Sequence, residues 1–170
     1  MSYIEELFGL KTKVAVVTGG TGVLGNTMCR ALAKAGASVV ILGRRKAVAD
    51  TLAKEIIQSG RNAFGVSADV LDEKQLVEAR KLILEKFGTI DILVNAAGGN
   101  LPGAVVTPDK TFLDLKLDDF KKVVDLNLAG TLLPSQIFGE VMVASKKGII
   151  INISSMTAIR PLTRVVGYGA

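Results

Sequence analysis

Short apolar runs alternate along the chain with stretches in which apolar residues recur every three or four positions. "KVAVVT" (13–18) reads as a strand. Residues 23–35 read as a helix with Leu24, Met28, Ala31, Leu32 and Ala35 on one side, stopped by Gly36. "SVVIL" (38–42) is a second strand, and the helix after it carries Val48, Leu52 and Ile56 at intervals of four and ends at Gly60. "NAFGVS" (62–67) is a third strand. Asp72 opens the next helix with Gln75 at the capping-box position; Leu76, Ile83 and Phe87 form its buried stripe, and Gly88 closes it. "IDILVN" (90–95) is a fourth strand. A Gly/Pro-rich loop follows over 98–110, a long helix runs from about Leu117 to Ser145, and "GIIINIS" (148–154) is the fifth strand.

Strands that alternate with helices imply right-handed crossovers and a parallel sheet. Strands apolar at nearly every position suit a sheet covered on both faces. The pattern predicts a single α/β domain over residues 1–170, a doubly wound (Rossmann) sheet in a three-layer α/β/α arrangement, with no internal repeat or linker. In such a fold the ligand lies at the carboxyl ends of the strands, near the point where the winding reverses. Those ends read "TGGTGVLG", "LGRR", "SADV", "NAAGGN" and "ISSM".

Composition narrows the chemistry. At 170 residues, 49% apolar and 22% charged, the chain can bury a core and does not have the make-up of a disordered protein. No apolar run approaches the ~18 residues of a membrane span, so no membrane association is expected. The N-terminal stretch "MSYIEELFGLKTK" lacks the apolar core of a signal peptide. The single cysteine, Cys29, has no disulfide partner, which fits a reducing, cytoplasmic setting; inside a helix it reads as a small packing residue. The absence of histidine removes histidine-based triads and most zinc sites, and no metal site is expected. The net charge of +5 is spread out and aromatics are only 5%, which argues against a nucleic-acid groove.

"TGGTGVLG" (18–25) lies between the first strand and the first helix, where glycines let the backbone approach a pyrophosphate at a helix N-terminus. This stretch resembles the TGxxxGxG loop of the short-chain dehydrogenase/reductase family at Thr18, Gly19 and Gly25; Val23 stands where the family has a glycine, with Gly22 one place earlier. The resemblance implies cofactor contacts from Thr18, Gly19, Thr21, Val23, Leu24 and Gly25. "SADV" resembles the family's adenine-contacting pair at Asp69 and Val70. "NAAG" resembles its NNAG motif at Asn95, Ala97 and Gly98, with Ala96 in place of the second asparagine. Folds that choose NAD place an acid about 20 residues beyond the loop to hold the ribose 2′-OH. Here that position reads Gly43, then Arg44 and Arg45. A 2′-phosphate carries about two negative charges, and an arginine fork matches it. NADP(H) is the expected cofactor, with Arg44 the first candidate and Arg45 the second, and NAD(H) the alternative.

Asn127, in "VVDLNLAG", shares a helical face with Phe120, Val123, Val124 and Thr131. Ser155 follows the fifth strand, and Tyr168 lies thirteen residues beyond it, the family's serine-to-tyrosine spacing. The resemblance implies that Ser155 holds a carbonyl oxygen and Tyr168 exchanges its proton. It implies too that Asn127 holds a water, and that hydride passes between the nicotinamide and a carbonyl or secondary alcohol. It further implies a lysine four residues after the tyrosine, which would be position 172, together with further strands and helices; the chain ends at Ala170. On this reading the domain is truncated at its C-terminus, with weak or no turnover by itself. A catalytically inactive nucleotide-binding protein is the alternative, and a longer form would be a homo-oligomer. "NAAGGN" with the long loop behind it resembles fructuronate (mannonate) reductases and gluconate 5-dehydrogenase-like members, which implies a sugar-acid substrate. Arg160 and Arg164, between Ser155 and Tyr168, are candidates to meet its carboxylate.

Overall fold

A computed structural model describes residues 3–160 and 162–169. A short helix α1 (Tyr3–Phe8) precedes β1 (Val14–Thr18), α2 (Val23–Lys34), β2 (Ser38–Gly43), α3 (Lys46–Gln58), β3 (Ala63–Ser67), α4 (Glu73–Phe87) and β4 (Ile92–Asn95). A long loop leads to α5 (Leu117–Val124), a π turn (Asp125–Ala129), α6 (Gly130–Ser145), β5 (Ile149–Asn152) and one helical turn, α7 (Val166–Gly169). Ala170, where the sequence reading places a truncation, lies outside the described residues.

The sheet is parallel throughout, in the order β3-β2-β1-β4-β5. The chain winds outward from β1 through β2 to β3, then returns to place β4 on the other side of β1. The reversal therefore falls between β1 and β4, where Thr18 stands beside Asn95 in register. A crevice opens above that pair, as the doubly wound pattern requires.

The strand side chains divide between two cores. Val16, Val40, Leu42, Val66 and Leu93 meet Leu76 and Ile83 of α4 and Ile137, Phe138 and Met142 of α6. Ala15, Val17, Val39, Ile41 and Val94 meet Cys29 and Ala33 of α2 and Ala49, Leu52 and Ile56 of α3. Each fully buried Val, Ile or Leu contributes roughly 1.5–3 kcal/mol, so β1 and β2, buried on both faces, anchor the sheet.

Four details depart from the pattern read in the sequence. The buried line of α2 is Gly25, Cys29 and Ala33, while Leu24 and Ala31 are exposed. At Gly25 and Cys29 the helix lies close against the glycine loop, leaving no depth for larger residues. On α3 the buried line runs through Ala49 instead of Val48. The helix expected from Leu117 to Ser145 is not continuously α-helical, because the π turn interrupts it at Asn127. The capping box of α4 is only half formed: Asp72 accepts the Gln75 N–H at 3.1 Å, but the Gln75 side chain reaches the Asp69 N–H at 3.0 Å. It thereby ties the segment after β3 to the helix.

Candidate active site

The first cleft forms where β1 passes into α2. Gly19 adopts φ +64°, and a Cβ there would stand 2.7 Å from Ala96 O. A Cβ on Gly25 would stand 2.2 Å from Gly19 O. Only glycine permits this approach of loop, helix and β4 backbone. Gly22 caps α2 without a side-chain hydrogen bond, and the first turn holds no acid. The helix therefore presents its leading N–H groups to whatever lies in front of it, an arrangement suited to a diphosphate.

This cleft, of about 590 Å³, is walled by Gly19, Thr21, Arg44, Arg45, Asp69, Val70, Ala96, Ala97 and Gly98 among others. Gly43 ends β2 where a Cβ would press on Thr21 Oγ1 at 2.7 Å. The chain can therefore turn there and place two arginines at the rim. Arg45 Nη2 donates to Thr21 O at 3.2 Å, folding over the loop. Arg44 is exposed at the same lip. The Asp69 carboxylate accepts the Leu71 N–H at 3.0 Å. The donor set, a glycine cradle with a helix head and two guanidinium groups, fits a dinucleotide.

The second cleft, of about 770 Å³, is walled by Leu24, Ala96, Ala97, Gly98, Gly99, Asn100, Asn127, Ser154, Ser155 and Tyr168, with Thr131, Asn152 and Thr157 adding polar groups. Ser155 caps the short turn Met156–Ala158 by accepting the Thr157 N–H at 3.3 Å, which fixes its oxygen and leaves its hydroxyl proton to donate. Tyr168 is half-buried on α7.

Asn127 is committed to the backbone. Its Nδ2 donates to Val123 O (2.7 Å) and Gly99 O (2.8 Å), and its Oδ1 accepts the Gly99 N–H (3.1 Å). Its own carbonyl accepts from Thr131 Oγ1 at 3.1 Å. The π turn and the Gly99 loop are thus joined through one amide side chain.

Thr18, Gly25 and Asn95 stand behind the clefts rather than in their walls. Thr18 Oγ1 accepts the N–H groups of Ala96 and Ala97, each at 3.2 Å, and so holds the end of β4 in place. Asn95 donates to Ser135 Oγ (2.8 Å) and Asn152 Oδ1 (2.9 Å); its buried Oδ1 has no partner among the described residues. Val23 is 87% exposed at the head of α2, outside both walls. Arg160 and Arg164 are exposed and line neither cleft.

Asn100 and Asn152 are wall residues that the sequence pattern did not single out. Asn152 leaves a signal, a polar residue closing an otherwise apolar strand, whereas Asn100 sits in a loop with no period to read. Cys29 packs beneath the loop, where a Cβ on Gly20 would lie 3.2 Å from its Sγ, and burial pushes its thiol up to about 12.

The short chain dehydrogenase family model matches residues 13–170. An uncharacterized oxidoreductase of Bacillus subtilis strain 168, UxuB, is 40% identical over 98% of this chain and 62% of its own length. A candidate D-mannonate oxidoreductase from Haemophilus influenza, solved with bound NAD, superposes with a TM-score of 0.91 at 38% identity, over 98% of this chain and 63% of that one. A gluconate 5-dehydrogenase from Burkholderia cenocepacia, solved with NADP and tartrate, superposes at 0.87 and 31% identity, over 98% of this chain and 63% of its own. The chain thus spans about three-fifths of the length of the relatives it matches. With the parallel sheet, the glycine cradle at its reversal point and a match running from β1 to the last residue, the chain belongs to the short chain dehydrogenase family.

Proposed function

We propose that the chain binds NADP(H) in the first cleft and presents a carbonyl or secondary alcohol in the second for hydride transfer. The observation that carries this reading is the shared wall: Ala96, Ala97 and Gly98 line both clefts. A long ligand can thus run from the arginines at one end, past three small residues, to Ser155 and Tyr168 at the other. Bound there, a nicotinamide supplies or accepts hydride. Ser155 donates a hydrogen bond to the substrate oxygen. The Tyr168 phenol gives that oxygen a proton in reduction and takes it back in oxidation. Thr18, Gly19, Thr21, Gly25 and Asn95 shape or support the diphosphate end, Val23 only through its backbone at the head of α2, Leu24 the wall of the second cleft, and Asp69 and Val70 the adenine end. Asn127 fixes the Gly99 loop against the helix that backs the site.

The cofactor choice rests on the lip at the end of β2, which offers Arg44 and Arg45 and no acid. Charge-assisted hydrogen bonds contribute about 1.5–3 kcal/mol, so Arg44→Asp should weaken NADPH binding by roughly ten- to a hundredfold and leave NADH within a few fold. Calorimetric titration of both cofactors checks this; unchanged NADPH affinity overturns the NADP assignment.

A sugar acid is the finer substrate reading. It is supported by the gluconate 5-dehydrogenase neighbour solved with tartrate, and by amide and hydroxyl groups in the second cleft that suit a polyhydroxylated chain. Arg160 and Arg164 do not contribute to that wall, so the polar neutral groups carry the recognition on this reading. A substrate panel on a full-length version, in which steroids or acyl thioesters turn over and sugar acids do not, would refute it.

A further inference from the structure

Three non-glycine residues among those described have positive φ: Thr12, Lys146 and Arg164. Lys146 caps α6, a usual place for this conformation, and Thr12 lies in the turn before β1. Arg164, at φ +76°, sits four residues before Tyr168. A left-handed arginine is strained and persists where surrounding contacts hold it. The contact here is explicit: the Arg164 carbonyl accepts the Val106 N–H at 2.8 Å.

The Val106 side of this bond is itself well braced. Lys110 Nζ donates to Gly103 O at 2.6 Å and to Pro102 O at 3.4 Å. Thr107 and Lys110 exchange backbone hydrogen bonds of 2.9 and 3.1 Å. Gly103 presses on Asp119 of α5 so closely that a Cβ would fall 1.7 Å from its carboxylate. The tyrosine side rests on the same helix. Gly167 is buried, with a Cβ position 3.2 Å from the Phe120 ring and 3.4 Å from Val123 Cβ. Loop and tyrosine turn therefore share α5 as a platform and are pinned to each other by one backbone bond.

We propose that the 102–110 loop acts as a clasp that positions Tyr168, through the backbone bond from the Val106 N–H to the Arg164 carbonyl and the seat of Gly103 on α5. The proposal rests on the reading of Tyr168 given above and adds a reason for the loop's length. The loop does not touch the reacting atoms; it sets the start of the turn that carries one of them.

The test uses the 170-residue chain with Tyr3→Phe, which leaves Tyr168 as the sole tyrosine, labelled with fluorotyrosine. Fluorine NMR should show one resonance that shifts on addition of NADPH. Val106→Pro, which removes the N–H, should move or broaden that resonance and remove at least half of its NADPH-dependent shift. Val106→Ala, which keeps the N–H, and Arg164→Gly, which accepts positive φ without strain, should retain the parent signal. NADPH affinity should stay within about twofold throughout, since the first cleft is untouched. A parent-like resonance and shift in Val106→Pro overturn the clasp. So does rapid hydrogen exchange of the Val106 amide in the unmodified chain, a measurement that needs no variant. If the parent fails to bind NADPH, the cofactor reading fails instead, while the free-state resonance of Val106→Pro still decides the clasp.

Discussion

Gly25 illustrates how little latitude single positions have at the reversal of the sheet. Its absent side chain would meet backbone, not a flexible neighbour, at 2.2 Å. Gly25→Ala should therefore cost about 1–3 kcal/mol through forced backbone shifts, and it should weaken cofactor binding because the displaced atoms form the cradle. Denaturant unfolding and NADPH titration of the same sample check both effects. Residues of this kind were legible in the sequence, since a glycine between a strand and a helix has few other uses. The two arginines at the end of β2 were legible for a similar reason: the strand's end fixes where they emerge. Arg160 and Arg164 were not. They lie in an irregular segment, where spacing along the chain says nothing about direction, and the structure turns them outward. Asn100 was missed for the same reason.

At the level of elements, β-strand and helix positions followed the apolar pattern closely, but faces and interruptions did not. Of the stripe read on α2, Met28 and Leu32 pack against the core while Leu24 and Ala31 face outward, because periodicity counts apolar residues and does not see how near the sheet lies. The π turn at Asn127 depends on a partner in the Gly99 loop, 28 residues away, which no local pattern contains. The head of α4 offers a test of local electrostatics. Hydrogen bonds from the Gln75 backbone and side chain hold the Asp72 carboxyl below its ordinary value. A depressed carboxyl adds stability that is complete above its unfolded pKa of ~3.9 and is lost as pH falls through the lower folded value. Asp72→Ala should accordingly lower the melting temperature at pH 7, with the gap to the parent closing only below about pH 4. A gap unchanged down to pH 2 would show that the cap's charge is irrelevant.

Across the whole molecule, the doubly wound order was predictable, whereas the exposure at its margin follows from how the layers end. β5 is the sheet's edge among the described residues, and Ile149, Ile150, Ile151 and Ile153 are each 40% or more exposed. By register Ile149 and Ile151 fall on the side of Ile92 and Val94, the face covered nearer the centre by α2 and α3. A flat apolar edge of this kind invites pairing with another chain. Ile151→Lys should reduce concentration-dependent association of the 170-residue chain, measured by light scattering, without weakening NADPH binding; undiminished association would place the contact elsewhere.

The shared wall at Ala96–Gly98 has a further consequence. On the proposed function one surface would serve two ligands, so their binding free energies would be coupled through it, and linkage would make that coupling reciprocal. A methyl group added at Ala97 would penalise cofactor and substrate together. Mutational scans of this stretch should then show correlated losses rather than separable ones, and the two affinities of this enzyme family's fold would have to be tuned elsewhere, at the arginine lip and the polar far wall.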